Sequence, residues 1–136
     1  MECVGFYTVG DIMVSSIIAV GPGDSIMKAA RLMAEKEAES ILVVDRDGGL
    51  VGILTEHDLV KAVTRGLDLD TPVEKLVTRS PVTAEPGEPL ATVLCKMLRH
   101  RVYSVPVVVD RKPVGIVSIK DIASVWAAEQ QLCTTG

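Results

Sequence analysis

Asparagine is missing from this chain, and Gln130 and Gln131 are its only other side-chain amides. Depletion of thermolabile residues fits a high-temperature source, where intracellular disulfides are less rare. Aromatic residues are scarce as well: one Phe, one Trp and two Tyr in 136 residues. With a net charge of −4, that scarcity speaks against nucleic acid as a partner, because bases stack on rings and phosphates want a basic surface. No apolar run reaches the ~18 residues that a membrane span requires. No basic segment precedes an apolar one in the manner of a secretory leader. A soluble, cytoplasmic protein is expected. The two histidines, His57 and His100, and the cysteines Cys3, Cys95 and Cys133 lack the spacing of a zinc site. Cys3 and Cys133 lie near opposite ends, where a disulfide within or between chains can join them. There is no GxGxxG, no Walker loop and no suggestive Ser/His/Asp grouping, so neither an enzyme nor a required cofactor is expected.

What the chain has is aliphatic mass. Hydrophobic residues make up 48% of it, mostly Val, Ile, Leu and Ala. That suits a core of β-branched strands and Leu/Ala/Met helix faces. The length is that of one small domain, or of two half-domains sharing a core. The second alternative is favoured by an internal repeat. Laid on itself, the sequence matches Val9 with Val73, Pro22-Gly23 with Pro86-Gly87, Met33 with Met97, Ser40 with Ser104, and Val43-Val44 with Val107-Val108. The second copy then has a turn one residue shorter. Beyond it Val51-Gly52-Ile53 matches Val114-Gly115-Ile116, and Asp58 matches Asp121. Agreement through an indel at a turn is the mark of a duplicated structural unit. The repeats span 8–66 and 71–129, with 1–7 and 130–136 as terminal extensions.

Each copy reads as the same series of elements. Residues 8–14 and 71–77 form short leading helical turns, the second with Thr71 as N-cap and Pro72 in its first turn. Residues 17–20 and 81–84 are extended and followed by Pro-Gly. Helical spacing of apolar residues runs over 24–36 and over 88–99, with Pro89 in the first turn of the latter. Strands follow at 40–44 and 50–54, then at 104–109 and 114–117, each pair joined by turn residues as a hairpin. Closing helices occupy about 56–64 and 119–132, and Gly66 is placed to end the first. Trp126, beside Ile122 and Val125, reads as a packing anchor. The unit is β-α-β-β-α, used twice in an α/β (α+β) fold, with a parallel crossover between its first two strands. One copy is too small to bury its own core, so the two are expected to pack through their sheets.

At each junction between the last strand and the closing helix stands one motif, Gly52-Ile53-Leu54-Thr55-Glu56-His57-Asp58 and Gly115-Ile116-Val117-Ser118-Ile119-Lys120-Asp121. Taken alone, Ser/Thr-x-x-Asp here is a capping box that satisfies the first N–H groups of a helix. The same residues suit a nucleotide. One carboxylate can accept a hydrogen bond from each of two ribose hydroxyls, and the helix N-terminus favours phosphate.

The motif, the order of elements and the Ser104-Val105-Pro106-Val107-Val108 strand resemble a tandem pair of cystathionine-β-synthase (CBS) domains, over about residues 8–129. The first copy departs from that family's hydrophobic-Pro-Val strand, with Leu42 in place of proline. The resemblance implies two repeats packed sheet to sheet with pseudo-two-fold symmetry, and a ligand that is AMP, ADP or ATP, or S-adenosylmethionine. It also implies that each junction faces an adenine slot on the other repeat. In the favoured grouping Thr55, His57 and Asp58 face Pro81, Arg101, Val102, Tyr103 and Pro106, with His57, His100 and Arg101 near phosphate. In the second, Ser118, Lys120 and Asp121 face Ile17, Ala38, Glu39 and Leu42. Lys36 adds positive charge there, while Glu37 and Glu39 oppose an anion. A homodimer through the helices at 24–36, 88–99 and the closing helices is implied too, as is allosteric output to another protein. A ligand-independent scaffold and a nucleic-acid binder are the rival readings.

Overall fold

The computed structural model describes residues 7–135, with side chains through residue 128. The chain divides into two compact units, Ile17–Pro81 and a second composed of Met1–Ser16 with Val82–Gly136.

The Ile17–Pro81 unit holds β1 (Ala19–Val20), α2 (Ile26–Lys36), β2 (Ser40–Val44), β3 (Leu50–Thr55), α3 (Glu56–Thr64), a 3-10 turn (Val73–Lys75) and β4 (Thr78–Arg79). Its sheet runs β1-β2-β3-β4. β1 lies parallel to β2, with Ala19 beside Leu42, so α2 is the expected crossover. β2 and β3 form the expected hairpin, and β4 adds antiparallel to β3 at Gly52–Arg79 and Ile53–Thr78. Ser25 caps α2 by accepting the Lys28 N–H at 3.1 Å. Its apolar stripe of Ile26, Ala29 and Met33 packs with Val20, Ile41, Val43, Leu54, Ala62 and Val73 to form the core. Gly66, with φ of +67°, ends α3 as expected.

The second unit holds α1 (Val9–Ile12), α4 (Leu90–His100), β5 (Ser104–Val109), β6 (Lys112–Ser118) and α5 (Ile119–Thr135). β5 and β6 form a hairpin. Ala84 bridges Val107 in parallel and Val14 bridges Ile116 antiparallel, extending the pair on both sides. The core is Val9, Ala84, Leu90, Val93, Met97, Val105, Val107, Val117 and Ile122.

The two cores correspond position by position through the repeat: Ile26 to Leu90, Met33 to Met97, Val43 to Val107, Leu54 to Val117. The matched pair Val9 and Val73 is exchanged. Val9, which opens the first repeat, is buried among residues of the second, and Val73, which opens the second, is buried among residues of the first. Each folding unit therefore takes its leading turn and one sheet edge from the other repeat. The glycine of each motif makes room for that edge. A Cβ on Gly52 would stand 2.5 Å from the Thr78 carbonyl oxygen, and one on Gly115 would stand 2.6 Å from the Met13 Sδ.

Local boundaries differ from the sequence expectation where proline is involved. Pro72 and Pro89 occupy N-cap positions with extended ψ, so the helical residues begin at Val73 and Leu90. Val14, the last residue of the first expected leading turn, bridges Ile116 instead, and β4 follows directly after the second expected turn, which ended at Val77. Trp126 is 46% exposed, so Ile122 and not Trp126 anchors α5 in its core. Cys95 is a free, exposed thiol; Cys3 and Cys133, which the sequence leaves open to a disulfide, lie outside the described residues and side chains. Among the described residues no helix is long and apolar enough to cross a membrane.

Candidate functional site

Both motif junctions are built alike. At the end of β3, Thr55 takes extended φ/ψ and becomes the N-cap of α3. Its N–H donates to Asp58 Oδ2 at 2.9 Å and its hydroxyl donates to the same oxygen at 3.0 Å. The Asp58 N–H donates back to Thr55 Oγ1 at 3.3 Å. At the end of β6, the Ser118 N–H and hydroxyl donate to Asp121 Oδ2 at 2.8 and 3.0 Å, and the Asp121 N–H returns to Ser118 Oγ at 3.2 Å. Both are capping boxes in the full reciprocal sense. Each cap uses only Oδ2. An ionised carboxylate offers about four lone-pair directions over two oxygens, so Oδ1 stays outside the cap in both junctions. Both aspartates are half-buried.

The strands add a second hydroxyl that the sequence reading passed over. Ser40 pairs directly with Thr55, and Ser104 pairs directly with Ser118. Directly paired residues share a sheet face, so each junction carries two hydroxyls side by side. The signal was in the sequence, where Ser40 and Ser104 fall on each other in the repeat; only the hairpin register shows that they meet the motif. The first N–H of each closing helix is also engaged by the same loop. Glu56 donates to the Glu39 carbonyl at 3.1 Å, and Ile119 donates to the Tyr103 carbonyl at 2.9 Å. The loops themselves are set by equivalent left-handed residues, Glu37 at φ 53° and Arg101 at φ 55°. The Ala38 and Val102 N–H groups then close back on the Met33 and Met97 carbonyls.

The expected site residues distribute as follows. Ile17, Ala38, Glu39, Leu42, Thr55, His57, Asp58 and Pro81 belong to one unit, and Arg101, Val102, Tyr103, Pro106, Ser118, Lys120 and Asp121 to the other. Within each unit the structure ties the first turn of the closing helix, which carries the motif carboxylate, to the loop before the hairpin through the Glu56–Glu39 and Ile119–Tyr103 backbone bonds. Leu42 and Pro106 are buried one residue along from the core-facing Ile41 and Val105, hence on the opposite face of their strands. His57, Arg101 and Tyr103 are exposed, Tyr103 at 68%. Among the described residues no cluster of three His, Cys, Asp or Glu side chains is arranged to hold a metal.

The CBS domain family model matches the chain twice, over residues 9–65 and 73–128. Homoserine O-acetyltransferase of Methanohalobium evestigatum is 36% identical over 116 residues, which cover 85% of this chain but 23% of that enzyme. The chain thus spans about a quarter of the length of this curated relative. Among solved structures, a CBS domain pair in complex with 5′-methylthioadenosine and S-adenosyl-L-methionine superposes with a TM-score of 0.84 at 34% identity, covering 90% of this chain and 97% of the other. A CBS domain protein from Pyrobaculum aerophilum complexed with AMP superposes with a TM-score of 0.83 at 26% identity, covering 93% and 98%.

Proposed function

Because this chain belongs to the CBS domain family and carries two copies of the domain, we propose that it is a regulatory module that binds an adenosine-containing ligand and passes the signal to another protein. The observation that carries this reading is the half-used carboxylate. Asp58 and Asp121 each commit Oδ2 to the helix cap, and Oδ1 is left to accept from the ribose hydroxyls. Charge-assisted hydrogen bonds of that kind contribute about 1.5–3 kcal/mol each. The ligands named for the two solved relatives, S-adenosyl-L-methionine with 5′-methylthioadenosine and AMP, share a 5′-substituted adenosine.

Thr55, His57 and Asp58 with Pro81, Arg101, Val102, Tyr103 and Pro106 are the favoured ligand residues in this proposal. Ser118, Lys120 and Asp121 with Ile17, Ala38, Glu39 and Leu42 form the second set. The exposed His57, His100 and Arg101 favour a phosphate at the 5′ position, which ranks AMP, ADP and ATP first. The higher identity of the relative holding S-adenosyl-L-methionine keeps a sulfonium or thioether ligand as the second reading. The mechanism is a population shift: the ligand favours one arrangement of the chain by its differential affinity, and a partner protein reads the change. Self-association through the exposed sides of α2, α4 and the closing helices belongs to the same proposal, as does a cytoplasmic setting.

The test is a thermal-shift and calorimetric panel of AMP, ADP, ATP, S-adenosylmethionine, 5′-methylthioadenosine and an oligonucleotide, on protein stripped of ligand by unfolding and refolding. Saturable stabilisation by at least one adenosine compound is expected. Silence across all adenosine compounds leaves the ligand-independent scaffold as the function. A response to the oligonucleotide alone makes the chain a nucleic-acid binder.

A further inference from the structure

Among the described residues, Glu37, Ser80, Arg101, Asp110 and Arg111 carry a side chain on left-handed backbone. Four of them have a local cause. Glu37 and Arg101 end α2 and α4, where a left-handed residue closes the helix. Asp110 and Arg111 make the loop of the β5–β6 hairpin. Ser80, at φ 51°, ends no helix and lies in no hairpin loop. It is exposed, and it precedes Pro81, a setting in which a residue favours extended backbone. Its conformation therefore runs against both its own Cβ and its neighbour.

The cause lies in its place in the chain. Thr78 and Arg79 are held in the sheet of the Ile17–Pro81 unit, opposite Ile53 and Gly52. Ala84 is held in the second unit, where its N–H donates to the Pro106 carbonyl at 3.0 Å and its carbonyl accepts the Val108 N–H at 2.8 Å. Residues 80–83 make the passage from one unit to the other. The repeat offers a comparison. Ser16 aligns with Ser80, and there the chain passes the other way, from Val14, which bridges Ile116, to Ile18, whose carbonyl accepts the Leu42 N–H. Ser16 does not have positive φ. The same residue at the same step of the repeat thus stands in two backbone states, so residue type does not choose between them.

We infer that Ser80 is a strained pivot. The crossing has a second, relaxed state with residue 80 at negative φ, as at Ser16, and turning Ser80 between the two redirects the chain where it leaves β4. A strained residue persists only where its surroundings over-determine it, and such positions act as switches. A ligand with unequal affinity for the two states biases the pivot. The inference itself does not depend on the ligand proposed above.

The test is nuclear magnetic resonance of the full-length chain as wild type, Ser80→Gly, Ser80→Val and Ser16→Gly. Circular dichroism checks that each is folded, and Ser80→Ala replaces the valine variant if that one is not. Glycine accepts positive φ freely, whereas β-branched valine before proline is driven to extended backbone. The backbone amide peaks of Arg79, Val82, Thr83 and Ala84 are expected to move in opposite directions in the two Ser80 variants, along a line through the wild-type position. The ratio of the two states should differ at least about tenfold between them. Ser16→Gly is expected to leave those peaks in place. Peaks that share no line, or that stay at the wild-type position in Ser80→Val, show a single backbone state and overturn the pivot. An equal displacement by Ser16→Gly overturns its assignment to Ser80. No ligand is added, so a failure here is separate from a failure of the nucleotide panel.

Discussion

Gly52 lies so close to Thr78 that a Cβ at Gly52 would come within 2.5 Å of the Thr78 carbonyl oxygen. The equivalent contact of Gly115 is with the Met13 side chain, at 2.6 Å from Sδ, with the Val14 carbonyl further off at 3.1 Å. Backbone held in a sheet cannot retreat, whereas a thioether can change rotamer. Gly52→Ala is therefore expected to destabilise by about 2–3 kcal/mol and Gly115→Ala by about 1 kcal/mol. Urea unfolding of the two variants checks the order; equal losses would show that the edge at Met13–Val14 is as rigid as that at Thr78.

The caps predict a separation between stability and binding. Asp58→Ala and Asp121→Ala each remove a cap acceptor and should cost about 1–2 kcal/mol of stability. Thr55→Ala and Ser118→Ala lose the hydroxyl side of the same cap at a similar cost. If Oδ1 holds ribose, the aspartate variants lose at least about tenfold in adenosine-ligand affinity beyond what the hydroxyl variants lose. Isothermal titration on all four, at a temperature where each is folded, makes the comparison. An equal loss from both kinds of variant would assign the aspartates to capping only.

The β5–β6 turn stores backbone strain. Asp110 and Arg111 both have positive φ, 51° and 70°, in the two-residue hairpin loop closed by the Val109–Lys112 pair. A left-handed conformation costs a residue with a Cβ roughly 1–2 kcal/mol, and a two-residue hairpin loop of this kind favours glycine at its second position. Arg111→Gly is expected to raise stability by about 0.5–1 kcal/mol after the entropy of the added glycine is subtracted. The readout is the urea midpoint at unchanged slope.

Acid should weaken the fold partly through Asp24. Its carboxylate accepts the Gly21 N–H at 2.7 Å and pairs with Lys28 at 3.3 Å, and its pKa lies below the ordinary 3.8, chiefly because of the Gly21 N–H. Asp11, which accepts the Thr8 N–H, is lowered for the same reason. A carboxylate with a depressed folded-state pKa binds its proton more readily when unfolded. Its contribution is thus present above the ordinary value and lost as pH falls through the folded-state value. The stability deficit of Asp24→Asn relative to wild type should be constant near neutrality and shrink below about pH 3.8. A deficit that persists unchanged into acid would assign the loss to the turn geometry and not to the charge.

Much of this protein was determined by local pattern. The duplication, the hairpins, the α2 crossover and the Gly66 stop could be read from apolar periodicity and turn residues, because those signals act over a few neighbouring positions. The Ser/Thr-x-x-Asp caps were legible for the same reason, since all their hydrogen bonds join residues three apart. The tertiary structure decided what depends on partners distant in sequence. The exchange of Val9 and Val73 between the cores follows from which sheet edge receives each leading segment, and no spacing within a segment encodes that. The pairing of Ser40 with Thr55 needed the hairpin register. The signature glycines have the same cause: Gly52 and Gly115 look like part of a ligand motif in one dimension, but in three they are where a strand from the other repeat crosses.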